Sequence, residues 1–165
     1  MILVGLGSSL PFCGHPPQEI LLTAIAALGR LGRLGAVSRL YASPAWPDPA
    51  DPSFVNAVAV LETGLSPAAL LAALHAIEAG FGRRRTREYG PRTLDLDLLD
   101  YDGLVRTADA ASALVLPHPG IASRDFVLRP LAEVAPGWIH PVTGKTVEAL
   151  LGRLESRSAE PLPAA

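Results

Sequence analysis

A short run in which leucine alternates with aspartate constrains the fold of this 165-residue chain more than any other feature. In the stretch GPRTLDLDLLDY, Leu94, Leu96 and Leu98 alternate with Asp95 and Asp97. Successive side chains of a strand point to opposite faces, so the leucines share one face and the aspartates the other. The run predicts a strand with its leucines against helices and two carboxylates about 6.6 Å apart along the opposite face.

The remaining elements follow from apolar spacing and turn residues. Apolar runs predict strands over 1–6, 36–44 and 54–63, and helical spacing predicts helices over 16–31 and 66–80. With the strand that contains the aspartates, the order is strand, helix, strand, strand, helix, strand. This order indicates an α+β fold of the split βαβ kind, an antiparallel sheet with helices packed on one face.

The C-terminal part of the chain carries fewer signals. Thr146 is expected to cap a short helix, VEALLGRL, and residues 155–165 are expected to form a flexible tail. Residues 1–154 are long enough for one domain with its own core, and they contain neither a repeat nor a linker.

Composition excludes several classes of protein. The formal charge of −2 and pI of about 6.1 give no overall attraction to nucleic acid or to an anionic membrane. No apolar run approaches the roughly 20 residues of a membrane helix. The one cysteine, Cys13, excludes a disulfide framework, and we expect a cytoplasmic protein.

Two glycine-containing stretches resemble nucleotide-binding motifs but do not match them. GLGSSL has Leu10 where a dinucleotide fingerprint needs its third glycine, so its glycines are interpreted as a tight exit from the first strand. TGKT has Ile139 where a P-loop needs its leading glycine.

The pair Asp95 and Asp97 has two possible interpretations. On an exposed sheet face the two charges would repel by only about 0.6 kcal/mol, and the residues would be ordinary solvent-facing side chains. In a cleft the repulsion rises to roughly 2.5 kcal/mol at an effective dielectric of 20, and the pair would favour a cation. Mg²⁺ suits such a site because it binds one or two carboxylates together with phosphate oxygens and water.

Arginines cluster beside the aspartates. Guanidinium groups bind phosphate oxygens in a bidentate manner, so the cluster favours an anion-binding loop, although a solvated charged loop has the same composition. The members are Arg83, Arg84, Arg85, Arg87 and Arg92.

These motifs together resemble a known family. GPRTLDLDLLDY, preceded by IEAGFGRRRTREYG and followed by PHPGIASRDFVLRPLAEVAP, is similar to the 6-hydroxymethyl-7,8-dihydropterin pyrophosphokinases of folate biosynthesis. The resemblance covers about residues 2–151. It implies a ferredoxin-like sandwich, two Mg²⁺ ions as cofactors, and a monomer. It also implies transfer of the βγ-diphosphate of ATP to the pterin hydroxymethyl group, with release of AMP.

The resemblance also implies roles for individual residues. Asp95 and Asp97 would hold the metal ions, and Arg83 and Arg92 would act with them in catalysis by contacting phosphates. The ATP site would comprise Glu78, Arg83, Arg85, Tyr89, Arg92, Leu98, His118 and Arg124. The pterin site would comprise Ser43, Pro44, Trp46, Phe54, Asn56 and Phe126.

Some of these residues have simpler interpretations. Phe54 and Phe126 could be plain core residues, and His118 could be a rigid loop histidine between two prolines. The chain also departs from the family pattern at three positions. Ser9 stands where asparagine is usual, Phe54 where tyrosine is common and Tyr89 where tryptophan is common.

A module that binds RNA without catalysis is the alternative. A split βαβ sheet with Phe54 on its face and an arginine-rich loop fits this class. Against it stand the negative charge, an aromatic content of 5% and the lack of an RNP1-type pattern.

Overall fold

The structure is a computed structural model that describes residues 1–45, 48–83, 90–108, 113–155 and 158–163. In chain order the elements are β1 (Ile2–Ser8), α1 (Pro17–Leu28), β2 (Arg33–Val37), β3 (Tyr41–Ser43), β4 (Phe54–Glu62), α2 (Pro67–Gly80), β5 (Asp95–Tyr101), α3 (Asp125–Val134), α4 (Val147–Leu151) and β6 (Glu160–Pro161). Ser66 and Thr146 cap α2 and α4 through their side chains, which confirms both predicted helix starts.

One antiparallel sheet organises the chain. Its strands lie in the order β5, β1, β4, β3, β6, and β2 pairs with β4 beyond the end of β3. The predicted single strand over 36–44 is therefore two short strands, which pair with successive parts of β4. The antiparallel α+β fold is confirmed.

Helices cover both faces of the sheet. On the first face, Leu96 and Leu98 of β5 pack in one core with Leu21 of α1 and Leu74 of α2, as the leucine alternation predicts. On the second face, α3 and α4 pack over part of the sheet and form another core. Its members include Leu3, Val58, Leu99, Leu128, Leu131, Trp138 and Leu150.

The expectation that helices pack on one face only therefore needs correction. No helix was predicted over α3, so nothing was expected to cover the second face of the sheet. Pro130 lies inside α3, and a proline in a helical pattern is ordinarily evidence against a helix. Apolar burial of Val127, Leu128 and Leu131 against the sheet outweighs that local penalty.

The first strand is longer than predicted. The glycines of GLGSSL do not mark a strand exit, because β1 continues through Gly5 and Gly7 to Ser8. Gly7 pairs with Asn56 on one side and with Asp95 on the other, and Gly5 pairs with Asp97. The two glycines thus lie in the centre of the sheet, between the strands that carry the predicted site residues.

The C-terminal segment, for which a flexible tail was expected, contains a short strand. Residues Glu160–Pro161 form β6, which pairs with β3, and Leu162 N donates to Leu40 O over 2.8 Å. Ala159 is fully buried. Two residues give too short a pattern to predict a strand from sequence. Across the described ranges, no helix is both long and apolar enough to cross a bilayer.

Candidate active site

An open cleft of about 670 Å³ lies on the second face of the sheet, beside the start of α3. Strands β1, β3, β4 and β5 and helix α3 all contribute to its walls. The lining includes Gly5, Gly7, Ser43, Pro44, Phe54, Asn56, Arg92, Asp95, Asp97, Arg124 and Phe126. Nine of the predicted site residues therefore meet around one space, although they come from four separate parts of the sequence.

The floor of the cleft is formed by the glycines of β1. A Cβ atom on Gly7 would lie 3.5 Å from Asn56 Oδ1, 3.6 Å from Phe54 Cδ1 and 3.8 Å from Asp95 Cβ. It would thus stand between the predicted pterin-binding and metal-binding residues. Glycine at this position leaves the floor open to a ligand. This role was not predicted from the sequence, although glycines two residues apart within a strand are a signal for it.

The two aspartates face the cleft from β5, which confirms that they share a face opposite the leucines. Burial and the neighbouring Asp95 charge raise the pKa of Asp97 to about 7. Both causes disfavour two negative charges side by side in a site partly shielded from water. A cation between the carboxylates would relieve this cost, so the acidic pair fits a metal.

Metal ligands other than the pair would have to come from substrate and water. Among the described residues, no group of three or more metal-binding side chains exists. Mg²⁺ commonly binds in this way, through one or two carboxylates together with phosphate oxygens.

Asp95 binds an arginine with each of its oxygens. Arg83 Nη2 lies 2.8 Å from Oδ1, and Arg92 Nη1 donates to Oδ2 over 2.8 Å. Arg83 also donates to Glu78, which is buried at the end of α2 and accepts the Leu96 amide over 2.7 Å. Burial raises the pKa of Glu78 above its usual value. The acidic groups and both guanidinium groups therefore form one connected network.

The backbone of Arg92 is held by the serines that end β1. Ser9 N donates to Arg92 O over 2.9 Å, and Arg92 N donates to Ser9 Oγ over 3.1 Å. Ser8 Oγ donates to Thr93 O over 2.6 Å. Ser9 is one of the departures from the family pattern. Its hydroxyl holds the backbone of Arg92, which is predicted to bind phosphate. Neither serine was assigned a role from the sequence.

His118 borders the metal-binding candidates. Its Nε2 lies 4.0 Å from Asp97 Oδ1, and its Nδ1 accepts the Gly120 amide over 3.1 Å. Burial and the Arg124 charge lower the pKa of His118, which favours the neutral ring, and the Gly120 contact to Nδ1 assigns the proton of that form to Nε2. A Cβ on Gly120 would lie 2.6 Å from Arg124 Cζ, so only glycine allows Arg124 to lie so close to the backbone there.

The other end of the cleft suits a flat polar ring. Asn56 is buried, and its Nδ2 donates to Ser43 Oγ over 2.9 Å, which fixes the direction of the amide. Phe54 and Phe126 both line the cleft and are only partly buried, so neither is a plain core residue. The guanidinium of Arg124 lies 5.9 Å from the centre of the Phe126 ring.

Among the described residues, the predicted site residue Leu98 does not extend its side chain toward the cleft. Leu98 is buried in the core on the opposite face, because it occupies a leucine position of the alternation. Its backbone alone could face a ligand. Trp46, Arg85 and Tyr89 lie outside the described residues.

Comparison with known proteins gives a consistent result. The family model of 7,8-dihydro-6-hydroxymethylpterin-pyrophosphokinase matches residues 3–136. The 2-amino-4-hydroxy-6-hydroxymethyldihydropteridine pyrophosphokinase of Pseudomonas aeruginosa is 41% identical over 99% of this chain and 98% of its own length. The enzyme of that name from Synechocystis sp. is 40% identical over 97% of this chain and 79% of its own length.

Solved structures share the fold at much lower identity. The HPPK-DHPS protein of Plasmodium falciparum, solved with pteroate, matches with a TM-score of 0.70 and 14% identity over 92% of this chain. The chain spans 42% of that longer protein. At this identity the likeness concerns the fold alone.

Proposed function

The chain belongs to the 7,8-dihydro-6-hydroxymethylpterin-pyrophosphokinase family, and from that membership we propose how its cleft works. It is an ATP-dependent pyrophosphokinase of folate biosynthesis. In the proposed reaction, the βγ-diphosphate of ATP passes to the hydroxymethyl oxygen of 6-hydroxymethyl-7,8-dihydropterin, and AMP leaves. The observation that carries the proposal is one cleft lined both by the charged Arg92, Asp95 and Asp97 and by Asn56, Phe54 and Phe126.

The charged end would hold the diphosphate. Asp95 and Asp97 would bind Mg²⁺, two ions in our proposal, and Arg83 and Arg92 would contact phosphate oxygens. Bound Mg²⁺ would bridge phosphate oxygens and neutralise their charge. Asp95 binds both arginines, so nucleotide binding would exchange these ion pairs for arginine–phosphate contacts.

The part of the cleft lined by Asn56, Phe54 and Phe126 would hold the pterin. Asn56 offers an amide that can pair with donors and acceptors on a heterocycle edge, and Ser43 fixes its direction. Phe54 and Phe126 would stack on the two ring faces. The open floor at Gly7 lies between the two ends, so the hydroxymethyl group would reach the diphosphate there.

Catalysis in this site would come from alignment and charge neutralisation. Phosphoryl transfer depends mainly on positioning and on electrostatic stabilisation of the transferring group. Ser9 holds the backbone of Arg92, whose guanidinium donates to Gly90 O and Asp95 Oδ2, and the guanidinium of Arg83 donates to Glu78. We assign no general base.

An assay of AMP release tests this function. Purified protein with ATP, Mg²⁺ and 6-hydroxymethyl-7,8-dihydropterin should release AMP and a pterin diphosphate in equal amounts. A matched control uses 6-methyl-7,8-dihydropterin, which lacks the accepting hydroxyl and should give no AMP. Failure to form pterin diphosphate would contradict the proposal.

Other properties remain proposals of the same kind. We propose a monomer in the cytoplasm, and size-exclusion chromatography with light scattering checks the first point. No observation favours the RNA-binding alternative, and the relatives compared above bear pyrophosphokinase or HPPK names. Titration with single-stranded RNA should therefore show no binding.

A further inference from the structure

The C-terminal segment Ser158–Leu162 contacts both structures that form the pterin end of the cleft. On one side, β6 pairs with β3, whose last residue is Ser43. On the other side, the segment contacts the first turn of α3, which carries Phe126. Both of these residues line the cleft. The segment itself lines no part of the cleft, so any role in binding must be indirect.

Ala159 forms hydrogen bonds to α3 through both its backbone amide and its backbone carbonyl. Ala159 is fully buried, and its amide donates to Asp125 Oδ2 over 2.7 Å. Its carbonyl oxygen accepts from Arg129 Nη1. Asp125 and Arg129 are four residues apart, so they lie on the same face of α3. Ser158 Oγ adds a weaker contact to Asp125 Oδ2 at 3.4 Å.

The position of Asp125 couples this contact to residues that line the cleft. It is the first residue of α3, it is 8% exposed, and it directly follows Arg124 and precedes Phe126. A carboxylate in the first turn is also favoured by the helix dipole. A shift of Asp125 would therefore move a predicted ATP-binding side chain and a predicted pterin-binding side chain together.

From these contacts we infer that Ser158–Leu162 is a strap that sets the distance between β3 and α3, with Asp125 as a positioning residue for the pterin. The inference rests on the proposed function. The strap touches neither Asp95 nor Asp97, so its loss should affect pterin binding far more than the metal-dependent step.

The fold should survive removal of the strap. β3 pairs with β4 on its other side, and Tyr41 OH donates to Glu133 Oε2 over 2.9 Å, which ties β3 to α3 independently. Truncation after Glu155 removes the strap. Truncation after Leu162 keeps it and removes only the last three residues, so it is the matched control.

Kinetics provide the first readout. Truncation after Glu155 should raise KM for the pterin by about tenfold, the effect of one or two lost hydrogen bonds. KM for ATP should rise less, because Arg124 is the one predicted ATP-binding residue beside Asp125, and kcat should stay within about twofold. The control truncation should match the full chain. An unchanged pterin KM, or an equal rise in both KM values, would overturn the inference.

Point variants keep the test decisive if the shorter chain does not fold. Asp125→Ala removes the acceptor for the Ala159 amide, whereas Asp125→Asn keeps an oxygen that can accept it. Asp125→Ala should reproduce the rise in pterin KM, and Asp125→Asn should restore most of the full-length value. Equal pterin KM values for the two variants would contradict a positioning role.

Hydrogen exchange separates this inference from the proposed function. Without any substrate, Asp125→Ala should speed amide exchange in β3 and in the first turn of α3, relative to Asp125→Asn. If the full-length protein released no AMP, the proposed function would fail, and exchange would still decide whether the strap exists. Equal exchange in both variants would refute the strap.

Discussion

Arg92 donates from Nη1 to Asp95 Oδ2 over 2.8 Å, and the two side chains are only 17% and 20% exposed. Arg83 occupies the other carboxylate oxygen of Asp95. Burial and the Asp95 charge raise the pKa of Asp97, which lies on the same face of β5, and its Oδ1 lies 4.0 Å from His118 Nε2. The two aspartates therefore differ in their surroundings, although the sequence presents them as equivalent.

Replacement of Asp95 by Asn should destabilise the ligand-free protein. The change leaves two mostly buried guanidinium groups with weaker acceptors, so the free energy of unfolding should fall by about 1 to 3 kcal/mol. Urea denaturation without Mg²⁺ or nucleotide measures it. Arg33→Gln, which removes an exposed ion pair with Glu62, serves as a control and should have little effect. Equal stability of Asp95→Asn and the wild type would contradict the network.

Replacement of Asn56 by Ala should weaken pterin binding by about 1 to 3 kcal/mol, because it leaves polar groups of the heterocycle unpaired. Ser43→Ala removes only the hydroxyl that directs the amide, so it should cause a smaller loss in the same direction. Calorimetry with the pterin measures both. Unchanged affinity in Asn56→Ala would exclude this end of the cleft as the pterin site.

Addition of a methyl group at Gly7 should block the cleft without harm to the fold. The nearest neighbours of the new Cβ are at 3.5 Å or more, so the strand accepts it. A ligand bound against the floor would clash with the new methyl group. Because such overpacking is costly, pterin affinity should fall by about tenfold or more. Gly137→Ala, where a Cβ meets nothing within 4 Å, is the control. Normal pterin binding by Gly7→Ala would show that the ligand does not approach this floor.

Much of the architecture could be predicted from local patterns. The leucine alternation of β5 correctly assigned its two faces, because a period of two leaves no other arrangement for a half-buried strand. The side-chain caps at Ser66 and Thr146 were equally local signals. By contrast, α3 was missed because the local cost of Pro130 is visible in the sequence, whereas its burial against the sheet is not.

The site was predictable in part for the same reason. The acidic pair and the arginine cluster are adjacent in sequence, so their chemistry could be inferred from the segment itself. The floor at Gly7, the support of Arg92 by Ser9 and the contact of Asp125 with Ala159 all join distant segments. Such contacts depend on strand order and register, which no short pattern specifies.

Replacement of Asp97 by Asn separates metal binding from a purely structural role of this carboxylate. Asp97→Asn keeps the shape of the side chain but removes a charge that burial and Asp95 already disfavour. The ligand-free protein should melt at the wild-type temperature or higher, because roughly 0.6 to 2.5 kcal/mol of repulsion is relieved.

The decisive measurement is AMP release by Asp97→Asn in saturating Mg²⁺, made beside its melting curve. If Asp97 binds metal, turnover should be at least ~100-fold below wild type, as when other electrostatic groups are removed from active sites, with thermal stability equal or higher. A variant that melts like wild type and releases AMP at a near wild-type rate would contradict the metal assignment.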